Sequence, residues 1–409
     1  MLLFVWAASI GLTGCASLPN AASVHRPASF STAVPSDTRL AWTAKKALAK
    51  IQYASAFKLL PVASGAYQTL IELVSQAEAS VDLQTFVLQG DASGTLLLKA
   101  LRDAAGRGVR VRILIDDLHT DSAELLLSNL AAFRGVEVRL INPFTGLRGS
   151  RESKLLSSMF ALDRVNHRMH NKLLVADNVL AVIGGRNIGD SYFMRAEDGE
   201  NFIDLDALAA GVAVQQMSAS FDEYWNSEYA WPIDGIVAPS GEASARRSAF
   251  DRAVEKIGSL PPDHGVLEHL QVYATAPDEL RTGSLNLTGA DAEVVADPVD
   301  KLSGTRVGDR RGTVRAFIGV AGLASTFEVF TVSPYYVPGK IGIESMRENR
   351  ANGVRLRVLT NSLASSDEPA VHAGYLLVTC SSPGRMASPS CPLGIKGRSS
   401  LCPPQAAQQ

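Results

Sequence analysis

Between Gly65 and Ala230 the chain switches repeatedly between two hydrophobic periods, and no other feature narrows its fold as far. "LIELVSQAEA" carries apolar residues at helical spacing, and "SVDLQTFVLQ" alternates as a strand does. "GTLLLKALRDAAGRG" returns to the helical period and closes at Gly108. "VRVRILIDD" then sets Val109, Val111, Ile113 and Ile115 on one strand face and Arg110 and Arg112 on the other. "AELLLSNLAAFRG" and "VEVRLINPF" repeat the helix and strand pair. "NKLLVADNVLAVIGG" predicts two strands turning at Asp177-Asn178, and "ALAAGVAVQQMSASFDEYWN" predicts one long helix with an apolar face. Such alternation predicts an α/β fold, a mixed sheet flanked by helices. From Asp234 to Arg310 the pattern weakens into Gly, Pro, Asp and Ser, as expected of a connection with loops.

An internal repeat extends this reading. "AAGRGVRVRILIDD" aligns with "NRANGVRLRVLTNS", so that Gly108 matches Gly353 and Val-Arg-x-Arg follows both. Upstream, "ASVDLQTFVLQ" has a looser counterpart in "STFEVFTVSPYYV". A shared Gly-Val-Arg-x-Arg favours duplication over two unrelated helix-Gly-strand units. A chain of 409 residues has room for two such lobes.

Net charge is −2, so a chain that coats itself in nucleic acid is not indicated, and any anion site must be a local basic cluster. The N-terminal run from Leu2 to Thr13 is almost wholly apolar but too short to span a bilayer. It ends in Leu12-Thr13-Gly14-Cys15, the pattern of a bacterial lipobox, in which Cys15 would carry the lipid. An ordinary secretory signal is the competing reading, and no Lys or Arg precedes the run. Ala16, rather than an Asp, follows the cysteine, and this points to the outer membrane and a periplasm-facing protein. Cys380, Cys391 and Cys402 form no C-x-x-C pair, and zinc is not indicated.

The chemistry concentrates in "RMHNKLLVADNVLAVIGGRN". His170, Lys172 and Asp177 spell H-x-K-x4-D, and Gly184, Gly185 and Asn187 add G-G-x-N. His170 and Lys172 stand two apart on a strand and point to the same side. Asn187 on the next strand can meet them. An imidazole, an ammonium and a carboxamide converging on one point suit a phosphate. Lys172 balances charge, Asn187 donates to a phosphoryl oxygen, and His170 attacks phosphorus or gives a proton. The glycines let backbone and ligand approach closely. Asp177, at the turn, is better placed to cap amides than to touch substrate. A metal pair, His167-x-x-His170, is the rival reading. Arg164, Arg168 and Lys172 crowd it with positive charge and no acidic third ligand lies nearby, so no metal and no other cofactor is expected. His119 in "DDLHT" is read as a structural or surface residue.

The motif resembles the HKD signature of the phospholipase D superfamily. "SVDLQTFVLQGDASGTLLLKALRDAAGRGVRVRILIDD", "RVNHRMHNKLLVADN", "GGRNIGDSYF" and "LTNSLASSDEPAVHAGY" together resemble its bacterial cardiolipin synthase C-type branch. The resemblance implies a phospholipase D-like mixed sheet in two pseudo-repeated lobes, the second incomplete. It counts His170, Lys172 and Asp177 as catalytic, with a phosphohistidine at His170. It gives Lys172 and Asn187 to the phosphate, with Gly184 and Gly185 beside them. Glu200, Asp204 and Asp206 stand where an acid could orient the histidine; a strand end or helix cap is the competing role. The implied reaction joins two phosphatidyl groups through glycerol, with membrane phospholipids as partners: phosphatidylglycerol, and phosphatidylethanolamine as a further donor. No nucleic acid is expected, although relatives in the superfamily cleave it.

The division expected is a lipoprotein signal over 1–15, a tether over 16–40, a first lobe over 41–233, a connection over 234–310, the start of a second lobe over 311–378 and a tail over 379–409. The branch carries two HKD motifs, and here only the first is complete. Carrying His170 across the repeat places its counterpart just past Gln409. The Pro/Ser/Cys-rich tail reads as an aberrant or disordered end, and this form is expected to make little cardiolipin. Two other readings stay open: a hydrolase or nuclease completed by dimerisation, and a non-catalytic lipoprotein fragment.

Overall fold

A computed structural model describes residues 18, 24–144, 148, 153–154, 167–197, 200–264, 268–303 and 313–362. Cys15, the three C-terminal cysteines and the tail lie outside the described residues. The chain divides into two compact units, with the boundary after Gly308.

The first unit is built on a nine-stranded mixed sheet in the order β8-β4-β3-β2-β5-β6-β7-β1-β9. Its strands are β1 (Ser55–Leu60), β2 (Ser80–Val87), β3 (Arg110–His119), β4 (Val136–Ile141), β5 (Leu173–Ala176), β6 (Leu180–Gly184), β7 (Asp206–Gly211), β8 (Ala230–Pro232) and β9 (Thr288–Ala290). β2, β3 and β4 are parallel neighbours, and β5, β6 and β7 continue the sheet antiparallel from β2.

Helices cover both faces. Leu40, Leu73, Leu97, Leu101, Leu127 and Phe250 lie fully buried on one side, from α1 (Arg39–Leu48), α2 (Ala63–Gln76), α3 (Ala92–Gly106), α4 (Glu124–Leu130) and α6 (Ala243–Ile257). α5 (Val212–Trp225) supplies Val214, Met217, Phe221 and Trp225 to the other. Each fully buried Leu or Phe of these two layers contributes roughly 1.5–3 kcal/mol. β3 therefore feeds both cores, Val111, Ile113 and Ile115 into one and Leu114 into the other. A strand buried on two faces reads as a near-continuous apolar run. Asp91 caps α3, its carboxylate accepting from Gly94 N at 2.9 Å.

The structure departs from the sequence pattern in four places. The stretch 207–211, expected at the head of a helix, belongs to strand β7, and α5 begins only at Val212. Pairing with β6 on one edge and β1 on the other overrides the helix preference of three alanines. The weakly patterned stretch after Asp234 contains α6, then α7 (Ala276–Thr282), and then β9, which pairs with β1. The face of β3 that carries Arg112 is not solvated. Arg112 is fully buried, forked on Asp82 at 2.7 and 2.8 Å and bonded to Asp222 of α5 at 2.8 Å.

The fourth departure is the expected tether. Residues 27–32 form a strap across this charged face. Pro27 O accepts from Arg139, Ser29 O from Arg112 and Asn226, and Phe30 O from Arg110. Ser29 Oγ accepts from the Trp225 indole at 2.8 Å, and Ser31 donates through N and Oγ to Asp222. Thr32 O takes the amide of Asn178, at the hairpin turn. The segment docks here because buried cations and a carboxylate need its backbone as partner.

In the second unit, α8 (Val314–Leu323) precedes β10 (Glu328–Val332), α9 (Gly339–Ala351) and β11 (Arg355–Leu359). β10 and β11 are parallel, as β2 and β3 are. Gly353 and Gly108 both hold positive φ, at 80° and 95°, two residues before their strands begin.

Among the described residues, no helix is long and apolar enough to cross a membrane.

Candidate active site

The site forms where the chain enters β5 beside the carboxyl ends of β2 and β3. Asp116, at the end of β3, fixes that entry. Its two carboxylate oxygens accept from Arg168 Nε at 2.9 Å and from Met169 N at 3.0 Å. Arg168 also donates to Asn142 O and lies over Phe144. Gln84 of β2 donates to the Met169 sulfur at 3.0 Å. Asp116 is wholly buried, and burial raises its pKa to about 6 in spite of Arg168.

His170 follows immediately. Lys172 Nζ stands 3.3 Å from His170 Nδ1 and 3.4 Å from Nε2, and donates to His170 O at 3.1 Å. Phe86, near the end of β2, is the platform. Its centroid lies 4.8 Å from that of His170 and 5.1 Å from that of His119, and 5.4 Å from Lys172 Nζ. The His170 side chain stays open to solvent on one side while protein hems in the rest. Burial, then Lys172, Lys301 and His119, push its pKa down to about 4. Burial pushes Lys172 down to about 8, against the charges of Asp204, Asp116 and Asp206. At neutral pH the pair is a free imidazole beside an ammonium.

Asn187 sits where the loop after β6 meets β2. Its Oδ1 accepts from Val87 N at 3.1 Å, one residue beyond Phe86, and Ile188 bonds Val87 in turn. That bond fixes the amide so that its NH2 end is the one left to donate.

Gly184 and Gly185 make room for carboxylates of this chain. A β-carbon at Gly184 would stand 1.9 Å from an Asp206 oxygen, and one at Gly185 would stand 2.0 Å from an Asp204 oxygen. Arg186, between Gly185 and Asn187, pairs with Asp206 at 3.0 Å and donates to Leu60 O and Pro61 O. Glu200 is exposed. Among the described residues, none of the three candidate carboxylates bonds His170: Asp206 holds Arg186, and Asp204 acts through its charge on Lys172.

Asp177 occupies the hairpin turn with φ 51°, followed by Asn178 at 54°, the left-handed pair a tight hairpin needs. Its carboxylate accepts from the amides of Glu78, Ala79 and Ser80, so it ties the turn to the start of β2.

Spacing within the motif does not reveal Phe86, His119, Asp116 or Arg186. The one signal for Asp116 is an acidic pair, Asp116-Asp117, closing an apolar strand. Among the described residues, no cluster of His, Cys, Asp or Glu is arranged to hold a metal ion.

A free imidazole braced by an ammonium on an aromatic platform, with an oriented carboxamide on the adjacent loop, has the chemistry to receive a phosphate. Residues 70–225 match the family described as cardiolipin synthase, PLD-like domain. The chain is 34% identical over 313 residues to cardiolipin synthase C of Escherichia coli (strain K12), covering 76% of this chain and 63% of that protein. It is 28% identical over 163 residues to a cardiolipin synthase of Staphylococcus aureus (strain Mu50 / ATCC 700699), covering 40% of this chain and 30% of that protein. Phosphatidylserine synthase of Haemophilus influenzae Rd KW20 is similar at 12% identity and a TM-score of 0.47, over 78% of this chain and 66% of that one. Residues 70–225 are thus similar to a phospholipase D-like domain, and the chain is similar in sequence to cardiolipin synthase C. It spans less than two thirds of the length of these two synthases.

Proposed function

We propose that this site transfers phosphatidyl groups between membrane phospholipids through a phosphohistidine at His170. The observation that carries the reading is the His170–Lys172 contact on Phe86, which presents an unprotonated nucleophile beside a cation. His170 attacks phosphorus, the P–O bond to the headgroup breaks, and the alkoxide leaves with a proton from a general acid. A phosphatidylglycerol hydroxyl then attacks the phosphohistidine, gives up its proton, and frees the imidazole. Lys172 and the Asn187 NH2 hold the phosphoryl oxygens as charge develops. Asp177 serves by fixing the hairpin. Phosphatidylglycerol and phosphatidylethanolamine are the proposed donors.

The match of β10, α9 and β11 to β2, α3 and β3 supports a second lobe of the same origin. We propose also that Cys15 anchors the chain by lipid on the periplasmic side of the outer membrane. The open side of His170 favours a second reading, hydrolysis, in which water takes the acceptor's place.

The test is incubation of the full chain with phosphatidylglycerol vesicles in chelator, followed by lipid extraction. We expect cardiolipin and glycerol, with a loss of 10²–10⁴-fold in His170→Ala. Phosphatidic acid without cardiolipin selects hydrolysis. Turnover that survives His170→Ala, or stops with chelator, rejects the assignment.

A further inference from the structure

Phosphatidyl transfer brings two phosphodiesters to one place, the one that reacts and the one the acceptor already carries. Lys172 is committed to the first, being bonded to His170 through ring and backbone. A second cation lies far along the chain, on a stretch packed into the apolar cluster that flanks the site. The stretch 294–302 is pinned at Val294 N, which donates to Gln216, and at Asp297 O, which accepts from Tyr224 at 2.8 Å. Leu302, 1% exposed, belongs to the same apolar cluster as Met169 and Leu173, the residues that bracket His170 and Lys172.

Lys301 rides on this pinned stretch. Its ammonium meets Asp297 at 2.5 Å, yet its side chain is 42% exposed. Its charge is close enough to act on the His170 ring. An exposed pair four residues apart contributes only a few tenths of a kcal/mol, and an ammonium has three donors. An incoming anion can therefore share or displace Asp297 at little cost.

We propose that Lys301 forms a second anion subsite, which takes the non-reacting phosphodiester of the acceptor phospholipid. The inference rests on the transfer reading above. It makes acceptor choice a matter of charge: a lipid with its own phosphate is held in place to attack, whereas water or a neutral alcohol is not.

The test uses the full chain carrying His170→Ala, so that nothing turns over, titrated calorimetrically with dihexanoyl-phosphatidylglycerol below its micelle concentration. We expect two equivalents to bind, one after adding Lys301→Ala, and two after adding Lys301→Arg instead. The thermal midpoint of each should be unchanged, since the Asp297 pair adds little. A single equivalent at the outset, or two that survive Lys301→Ala, overturns the subsite. Inorganic phosphate filling the Lys301 site as tightly as the lipid would overturn its assignment to an acceptor lipid. Two lipid equivalents that depend on Lys301, in a chain whose His170 form makes no cardiolipin, would uphold the subsite and reject transfer.

Discussion

His170 and Lys172 hold opposite protonation states because burial disfavours charge on both and the Lys172 charge further discourages one on His170, while Asp204, Asp116 and Asp206 support that of Lys172. The imidazole takes its proton only near pH 4, and the ammonium releases its own near pH 8. Between these values the nucleophile is free and the phosphate clamp is charged. Rapid-quench measurement of phosphohistidine formation should therefore rise through about pH 4 and fall above about pH 8. The stability consequence has a definite sign. An unfolded histidine titrates near 6.5, so between there and pH 4 the unfolded chain takes up a proton that the folded one refuses. Folding should weaken as pH falls through that window, and less so in His170→Asn, as read by urea midpoints. The His170–Lys172 contact was legible in the sequence because residues two apart in an extended stretch lie on one side. Phe86, His119 and Asp116 were not, because they arrive from β2 and β3, and no local spacing records which strands will be neighbours. Gly184 and Gly185 were legible as close-approach positions, but their guests are Asp204 and Asp206.

At the scale of elements, the β5–β6 hairpin depends on Asp177. Three amides at the start of β2 point to one carboxylate, and its residue holds a left-handed backbone. Asp177→Ala removes every acceptor and leaves at positive φ a residue that tolerates the left-handed region less well than aspartate does. Each buried amide left unpaired costs roughly 1–3 kcal/mol. Asp177→Asn retains one oxygen and should lose less. Urea denaturation of both variants checks the order, and any turnover should fall with the hairpin's register. The helix and strand alternation through β4 could be read directly, since amphipathic periods of 3.6 and 2 are local properties. β7 could not: its alanines satisfy either period, and its identity as a strand comes from the two neighbours that pair with it. β9 is only three residues long, too short to show any period.

The whole first unit is closed by the strap and the charges beneath it. Arg112 joins β3, β2 and α5 through Asp82 and Asp222, and the Phe221 and Trp225 rings lie against its guanidinium. Arg112→Ala leaves two carboxylates without their cation, a change that costs about 3–5 kcal/mol at buried pairs and should appear as a lowered urea midpoint. Removing residues 24–33 should red-shift tryptophan emission as Trp225 loses its Ser29 partner, and the intact chain should show slow hydrogen exchange at the Ser29 and Ser31 amides. The strap's anchors also set an order of events. Ser29 bonds Asn226 across 197 positions of sequence. A chain made from its N-terminus therefore delivers the strap long before the residues that receive it, and contacts so distant form late. Until α5 and Asn226 are in place, Ser29 and Ser31 lack the side chains that accept from their amides. A segment made early is thus among the last to be fastened, and its docking reports that the rest of the first unit is complete.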